Sequence, residues 1–351
     1  MRWRICAVLT LGLLMICPLL QADQVHALYG LPLSSPPFAG RTPAQVAAML
    51  RADGVNAVVR CPLNRTLIQA LHNERILAIA EFALFHDTKR WPRCRPVLAD
   101  GSPMGKDGWY RGVCPCCPDL VDQAVAKADR IARNYAVDGL WLDFIRWPSR
   151  WEGEAPNLQE TCFCANCLQR FQQDTGISLP QACATTQSKA AWIKQHHAPA
   201  WYAWRCDVIR EVIRRIRQAV HSHRPKALIG IFCVPCTDAA CRRLFGQDPA
   251  RLSTVVDVFS PMGYHLLCYK DSEWIKRVNR FFQSATSRPL WPIIQSVDQP
   301  RPMDAREFRR ALAAGLHGTA GIMVFKTSAT VKTGKWNQQR EVFLDQADQH
   351  E

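Results

Sequence analysis

The stretch VDGLWLDFIRWPSRW, residues 137–151, decides how the rest of the chain is read. Leu140, Trp141 and Leu142 lead into Asp143, and Arg146, Trp147 and Pro148 follow. A short unbroken apolar run predicts a strand covered on both faces, the kind that builds parallel sheets. An acid where the run ends puts a carboxylate at the C-terminal end of that strand. In α/β folds active sites form at that end. Asp138, five residues earlier, belongs at the opposite end and is expected to be structural.

Working outward, seven more runs have the same character. They are HALYGLPL (26–33), GVNAVVRCPL (54–63), ILAIAEFALF (76–85), ALIGIFCVP (227–235), VVDVFSPMGYH (255–265), LWPIIQSV (290–297) and GIMVFKT (321–327). Amphipathic helical patterns separate them, at 43–53, 118–136, 199–223, 272–284 and 304–315. Thr42-Pro43 and Asp304 supply start signals for two of these helices. Eight strands alternating with helices predict an α/β protein, a closed (β/α)8 TIM barrel, as one domain over residues 23–351. An open doubly wound sheet usually has fewer strands and a Gly-rich phosphate loop after the first. YGLPLSSPPFAG (29–40) lacks that spacing.

Residues 1–22 have Arg2 and Arg4 ahead of an apolar run that ends near Ala22, the layout of a secretory signal peptide. The run is short for a membrane span and Pro18 interrupts it. The expectation is a protein exported to the periplasm or secreted, with no transmembrane anchor after cleavage. Lys and Arg outnumber Asp and Glu by 44 to 30, a net charge of +14. Much of the excess lies on RCDVIREVIRRIRQAVHSHRPK (205–226), where Val208, Ile209, Val212, Ile213, Ile216 and Val220 form one helical stripe. Arg210, Arg214 and Arg217 fall largely on the other side, so the charge reads as an outward helix face and not as a nucleic-acid interface. The charge also suits an anionic partner such as an acidic polysaccharide.

Two connections are long, about 86–117 after strand 3 and about 148–198 after strand 4. Connections of that length usually carry function, and these two rise from neighbouring strands, so they should touch. Each carries a cysteine triplet: Cys114, Cys116 and Cys117 in GVCPCCPDL (112–120), and Cys162, Cys164 and Cys167 in CFCANCLQRF (162–171). Three thiolates within six positions, with a fourth from the adjacent loop, suit a closed tetrahedral zinc site. Export equally permits disulfides between the triplets. A redox role is the poorest fit, because no C-x-x-C opens a helix in a thioredoxin-like setting. A third cluster, Cys233, Cys236 and Cys241, follows strand 5.

CFCANCLQRF, with the upstream cysteine-proline of VCPCCP, resembles the cysteine cluster of glycoside hydrolase family 42 β-galactosidases. The resemblance implies a structural zinc beside the barrel, held by Cys114, Cys162, Cys164 and Cys167. Cys116 and Cys117 exceed that pattern, and the Asn-Glu acid/base pair of those enzymes has no counterpart at the end of strand 4. VDGLWLDFIRWP and VVDVFSPMGYH resemble the fourth and sixth strands of uncharacterised, family-10-like glycoside-hydrolase barrels. That resemblance spans most of the chain and implies the barrel more firmly than the reaction.

Glycoside hydrolysis needs two carboxyl groups, one to protonate the leaving oxygen and one to act as nucleophile or to activate water. Asp143 is the first choice for the second role, with Arg146 nearby to hold it ionised. For the acid, Glu81 stands near the end of strand 3 in apolar surroundings that raise a carboxyl pKa. Asp298 follows strand 7 and is the alternative across the mouth. Asp87 lies just past strand 3, and Asp257 comes too early in strand 6 to reach the face. Trp91, Trp109, Tyr110, Trp147 and Trp151 offer flat faces for sugar rings, or else pack the long loops. Arg146, Trp147, Tyr264, His265 and Gln295 are the expected substrate contacts. No Gly-x-Ser-x-Gly elbow, HExxH helix or P-loop occurs, which argues against serine hydrolase, HExxH metalloprotease and nucleotide-dependent chemistry. The expectation is a glycosidase that needs no cofactor for catalysis; the alternative is a non-catalytic carbohydrate-binding barrel of the cell envelope.

Overall fold

The computed structural model describes residues 24–347, apart from 107, 109 and 240. The predicted signal segment 1–22 and Trp109 lie outside the described residues. Eight parallel strands run in chain order: β1 Val25–Tyr29, β2 Ala57–Val59, β3 Leu77–Ala83, β4 Gly139–Asp143, β5 Leu228–Cys233, β6 Val258–Gly263, β7 Ile293–Gln295 and β8 Gly321–Phe325. Each pairs with the next, and β8 pairs back onto β1, closing a (β/α)8 barrel. The helices are α1 Pro43–Ala52, α2 Arg65–Asn73, α3 Pro118–Asn134, α4 Ala165–Thr175, α5 Thr186–His196, α6 Ala198–His221, α7 Pro249–Leu252, α8 Glu273–Ala285, α9 Ala305–Leu316, α10 Thr327–Lys332 and α11 Trp336–Ala347.

Local chemistry explains the boundaries. Thr42 and Gln45 cap α1 reciprocally and Pro43 pre-sets its first turn. On α6 the whole predicted apolar stripe from Val208 to Val220 is buried. Arg210 and Arg214 pair along the outer face with Asp207 and Glu211. Arg217 reaches Asp257 at 2.6 Å, which ties α6 to the start of β6 and takes that acid away from the mouth.

The inside of the barrel is a packed core. Tyr29 on β1 meets Phe232 on β5 across the axis, with ring centroids 5.8 Å apart. Strand side chains alternate faces, so Gly230 also points inward and so does Trp141, its partner in register. Trp141 fills the space that Gly230 leaves: a Cβ there would sit 2.1 Å from the indole. Its N–H donates to Ser260 Oγ at 2.9 Å, and its ring stacks on Trp291. Asp138 at the other end of β4 accepts the Ala78 N–H and meets His72, a structural contact.

The long connections do touch, through Phe163 N–H to the Val97 carbonyl at 2.8 Å and Asn166 to the Cys116 carbonyl at 2.6 Å. The second is more structured than a loop. Cys167, Leu168 and Phe171 bury one face of α4, and Phe171 packs edge-on against Trp201 and Trp204 of α6.

Candidate active site

The cavity at the barrel mouth follows from strand phase. Glu81 is registered with Trp141, and Asp143 with Ala83, so both acids point inward on neighbouring strands, two residues apart in height. Strand spacing and rise put their Cα atoms about 8 Å apart. The cavity is about 720 Å³, within the range of small-ligand sites, and Glu81, Asp143 and Glu152 are its acids. Arg60, Lys127 and Arg146 face them, and Tyr29, Trp151, Tyr264 and Phe325 supply aromatic walls.

The two inward acids differ in environment. Burial, and then the charge of Asp143, push the Glu81 carboxyl up to about 7 against the pull of Arg60 and Lys127. Arg60 Nε stands 3.6 Å from Glu81 Oε2, but its side chain is 62% exposed and well hydrated. Asp143 is raised by burial too, yet the Arg146 guanidinium and the Phe144 N–H at 2.7 Å both favour its charged form. Arg146 is 4% exposed, and its guanidinium lies over the rings of Phe144 and Tyr110. Glu152 is raised by burial and partly offset by Arg146 and Arg150. The site thus holds one carboxyl poised near neutrality beside another with dedicated ionic support. That division suits a proton donor and a carboxylate partner.

Of the expected contacts, Arg146 and Tyr264 line the cavity. Tyr264 stacks against Trp151 and tilts onto Phe325. The structure places the other three, and the alternative acid Asp298, outside that lining. Trp147 is fully buried under Arg205, its N–H donating to the Arg205 carbonyl at 2.9 Å. His265 is fully buried with Nε2 3.6 Å from Glu307, a carboxylate clamped by Arg301. Gln295 is buried and bonds the Leu267 N–H and the Val297 and Gln299 carbonyls; it shapes the wall that Leu267 and Gln299 present. Asp298 accepts from the Lys335 ammonium at 2.6 Å and from the Met303 N–H. Three residues past β7 the chain has already turned toward the α10–α11 connection, so this acid does not line the mouth cavity. Asp87 and Trp91 do not line it either.

Tyr29, Arg60, His86, Lys127 and Glu152 were missed in the sequence. Tyr29 ends β1 and Arg60 directly follows β2, so the end-of-strand rule that found Asp143 reaches them. Glu152 rides a loop whose path no periodicity reveals.

Beside the barrel, the sulfurs of Cys114, Cys162, Cys164 and Cys167 all lie within 4.8 Å of one another. A tetrahedral zinc with Zn–S of about 2.3 Å needs edges of about 3.8 Å. The Cys114–Cys167 and Cys114–Cys164 separations of 3.3 and 4.0 Å bracket that value. The Val97 N–H donates to Cys162 Sγ, as a thiolate prefers. The contact with Cys114, then those with the other two sulfurs, pulls Cys164 down, while burial pushes Cys167 up, so a cation is needed for all four to ionise together. The donor set fits a metal. Cys117 instead forms a disulfide with Cys94, bracing the β3–α3 loop upon itself. Cys236 is also disulfide-bonded, and Cys233 is a free, buried thiol.

Neither a protein-family model nor a curated protein sequence matches this chain. Solved structures do. The glycoside hydrolase domain of PgaB (BpsB) from Bordetella bronchiseptica superposes with a TM-score of 0.68 at 12% identity, over 92% of this chain and 99% of that one. What the two chains share is the (β/α)8 fold. A β-galactosidase from Halorubrum lacusprofundi matches at TM-score 0.62 and 13% identity, over 93% of this chain and 58% of its own. Gan42B, a family 42 β-galactosidase from G. stearothermophilus, matches at 0.60 and 11%, over 93% and 57%. The chain therefore spans little more than half the length of these β-galactosidases, one of which belongs to the family whose cysteine cluster the loops resemble. Among the described residues, no helix is long and apolar enough to cross a membrane.

Proposed function

We propose that this protein is an exported glycoside hydrolase, with Glu81 as general acid and Asp143 as nucleophile or water-activating base. The observation that carries this reading is the pair itself: two inward carboxyls on adjacent strands at the barrel mouth, one held near a pKa of 7 by burial. An acid must still carry its proton at working pH, and the apolar pocket around Glu81 provides for that. Burial raises Asp143, and Arg146 and the Phe144 N–H counter it, favouring the carboxylate toward the sugar's reacting carbon. Tyr264 and Trp151 line the cavity as an aromatic wall for a sugar to pack against, and burial keeps the Tyr29 phenol protonated as a hydrogen-bond donor.

A zinc ion held by Cys114, Cys162, Cys164 and Cys167 would clamp the two long loops together. With four thiolates it keeps no open position for substrate or water. The substrate is a polysaccharide or glycoconjugate, and the basic surface favours an anionic one.

A panel of poly- and oligosaccharides, assayed by reducing-end release, tests the reading. Wild type should cleave at least one member. Glu81→Gln should lower kcat by about 10²–10⁴-fold, the usual worth of a general acid, and Asp143→Asn at least as much. Binding without cleavage by wild type would leave a carbohydrate-binding barrel instead. Full turnover in both variants would remove the acid pair from the mechanism.

A further inference from the structure

Part of the excess positive charge gathers at a cavity outside the mouth. A second cavity, of about 330 Å³, opens in the β3–α3 loop and is lined by Lys89, Arg95, Lys106 and Arg111 with no acid among its described lining residues. None of these four cations has an ion-pair partner among the described residues, whereas Arg210, Arg214 and Arg217 on α6 all do. Arg95 spends its Nε on the Met104 carbonyl at 2.8 Å, which fixes the loop and leaves its terminal nitrogens unengaged. Of the acids in this loop, Asp87 turns Oδ1 toward the Lys89 backbone N–H, and Asp100 is engaged with the Ser102 N–H and hydroxyl. Four unneutralised cations around one concavity repel each other, and an anion seated there relieves that repulsion.

The basic cavity shares a wall with the mouth. His86, which lines the mouth, bridges to Gly112, which lines the basic cavity, and the Asp87 N–H donates to the Arg111 carbonyl at 2.8 Å. The loop is also held in shape before any ligand arrives. The Cys94–Cys117 disulfide closes it, the Cys114 N–H bonds the Cys94 carbonyl, and Val97 is tied to Cys162 and Phe163 of the neighbouring loop. A preformed concave site loses little ordering entropy on binding.

The geometry points to this cavity as a subsite for a carboxylate or sulfate group carried by an anionic glycan that extends from the barrel mouth. A concavity of this size, adjoining an aromatic-walled cleft, suits sugar units in a chain better than a lipid surface, which needs a broad exposed face. The choice of glycan rests on the glycosidase reading; the anion site rests on the cavity alone.

The test reads binding on the full chain carrying Asp143→Asn, so that no turnover intervenes. Calorimetric titrations would use an oligogalacturonate, a sulfated heparin-type oligosaccharide, a neutral cello-oligosaccharide and phosphatidylglycerol vesicles. Either anionic oligosaccharide should bind, and Lys89→Glu/Lys106→Glu should raise its Kd about tenfold or more through like-charge repulsion. The milder Lys89→Gln/Lys106→Gln pair should shift Kd in the same direction and flatten its salt dependence. Comparing the two oligosaccharides shows which anionic group the subsite takes. Unchanged Kd in both variants, equal affinity for the neutral glycan, or binding to vesicles alone would overturn the proposal. If anionic glycans bind through the lysines but wild type cleaves nothing, the subsite stands and the hydrolase reading falls.

Discussion

The barrel wall and the two long loops after β3 and β4 lie side by side and are held by different physics. The wall is maintained by burial: Leu142, Ile229, Ile231 and Val258 are fully removed from water, and no covalent link is needed. The loops pack onto the rim of that same core, through residues such as Cys114, Phe163 and Phe171. They add to that packing the Cys94–Cys117 disulfide, an aromatic cluster of Phe163, Phe171, Trp201 and Trp204, and four clustered thiols that a zinc ion would join. The contrast teaches that a barrel tolerates long insertions above its rim when point crosslinks supplement their packing. The mouth takes one carboxyl pair from the wall and its flanking walls from the loops.

The sharpest way to break the comparison is to remove a sulfur. Cys167→Ser should reduce bound zinc from one per chain to none by metal analysis, a change of order 10 kcal/mol in apparent binding for a structural site. Limited proteolysis should then cut within residues 86–117 or 150–185 while far-UV dichroism still reports the barrel. Equal protease resistance in the variant would show that the sulfurs do not organise the loops.

A wall substitution should do the opposite. Leu142→Ala should lower unfolding stability by about 2–5 kcal/mol in a denaturant titration, with zinc content unchanged in the folded protein. Loss of metal from that folded variant would mean that the two regions are one cooperative unit.

Glu81 sharpens the comparison from the side of function. Unfolded, its carboxyl ionises near the ordinary value of 4.5; folded, it keeps its proton up to about 7. Between those values the native state binds more protons, so this group's contribution to stability falls as pH rises through the window. Glu81→Gln should therefore make the protein more stable than wild type at pH 8, by up to about 3 kcal/mol, with little difference at pH 4. A variant no more stable at pH 8 would mean that Arg60 and Lys127 already offset the burial.

What was legible in the sequence follows the same division. All eight strands were readable because each is a short apolar run between turn residues, and α1 and α6 because cap and stripe were explicit. Glu81 and Asp143 were readable because an acid at the end of a buried strand has few places to point. Beyond the strand ends that logic weakens. Asp298 lies only three residues past β7, yet the backbone has turned enough to give it to Lys335. Gln295, still within β7, is spent on the loop carbonyls of Val297 and Gln299. Trp147 was read as a sugar platform, but an indole beside a buried arginine gains more from stacking on it. Glu152 and the helices α4 and α5 depend on contacts between distant segments, which no local period encodes.

The central claim is that Glu81 gives up a proton during turnover beside an ionised Asp143. The pH dependence of kcat/KM on a cleaved glycan measures this most directly. Wild type should lose activity as pH rises through about 7, because the folded Glu81 then loses the proton it must donate. Glu81→Gln should abolish that alkaline limb and leave a low, flat residual rate; an alkaline limb that persists unchanged in Glu81→Gln would contradict the account.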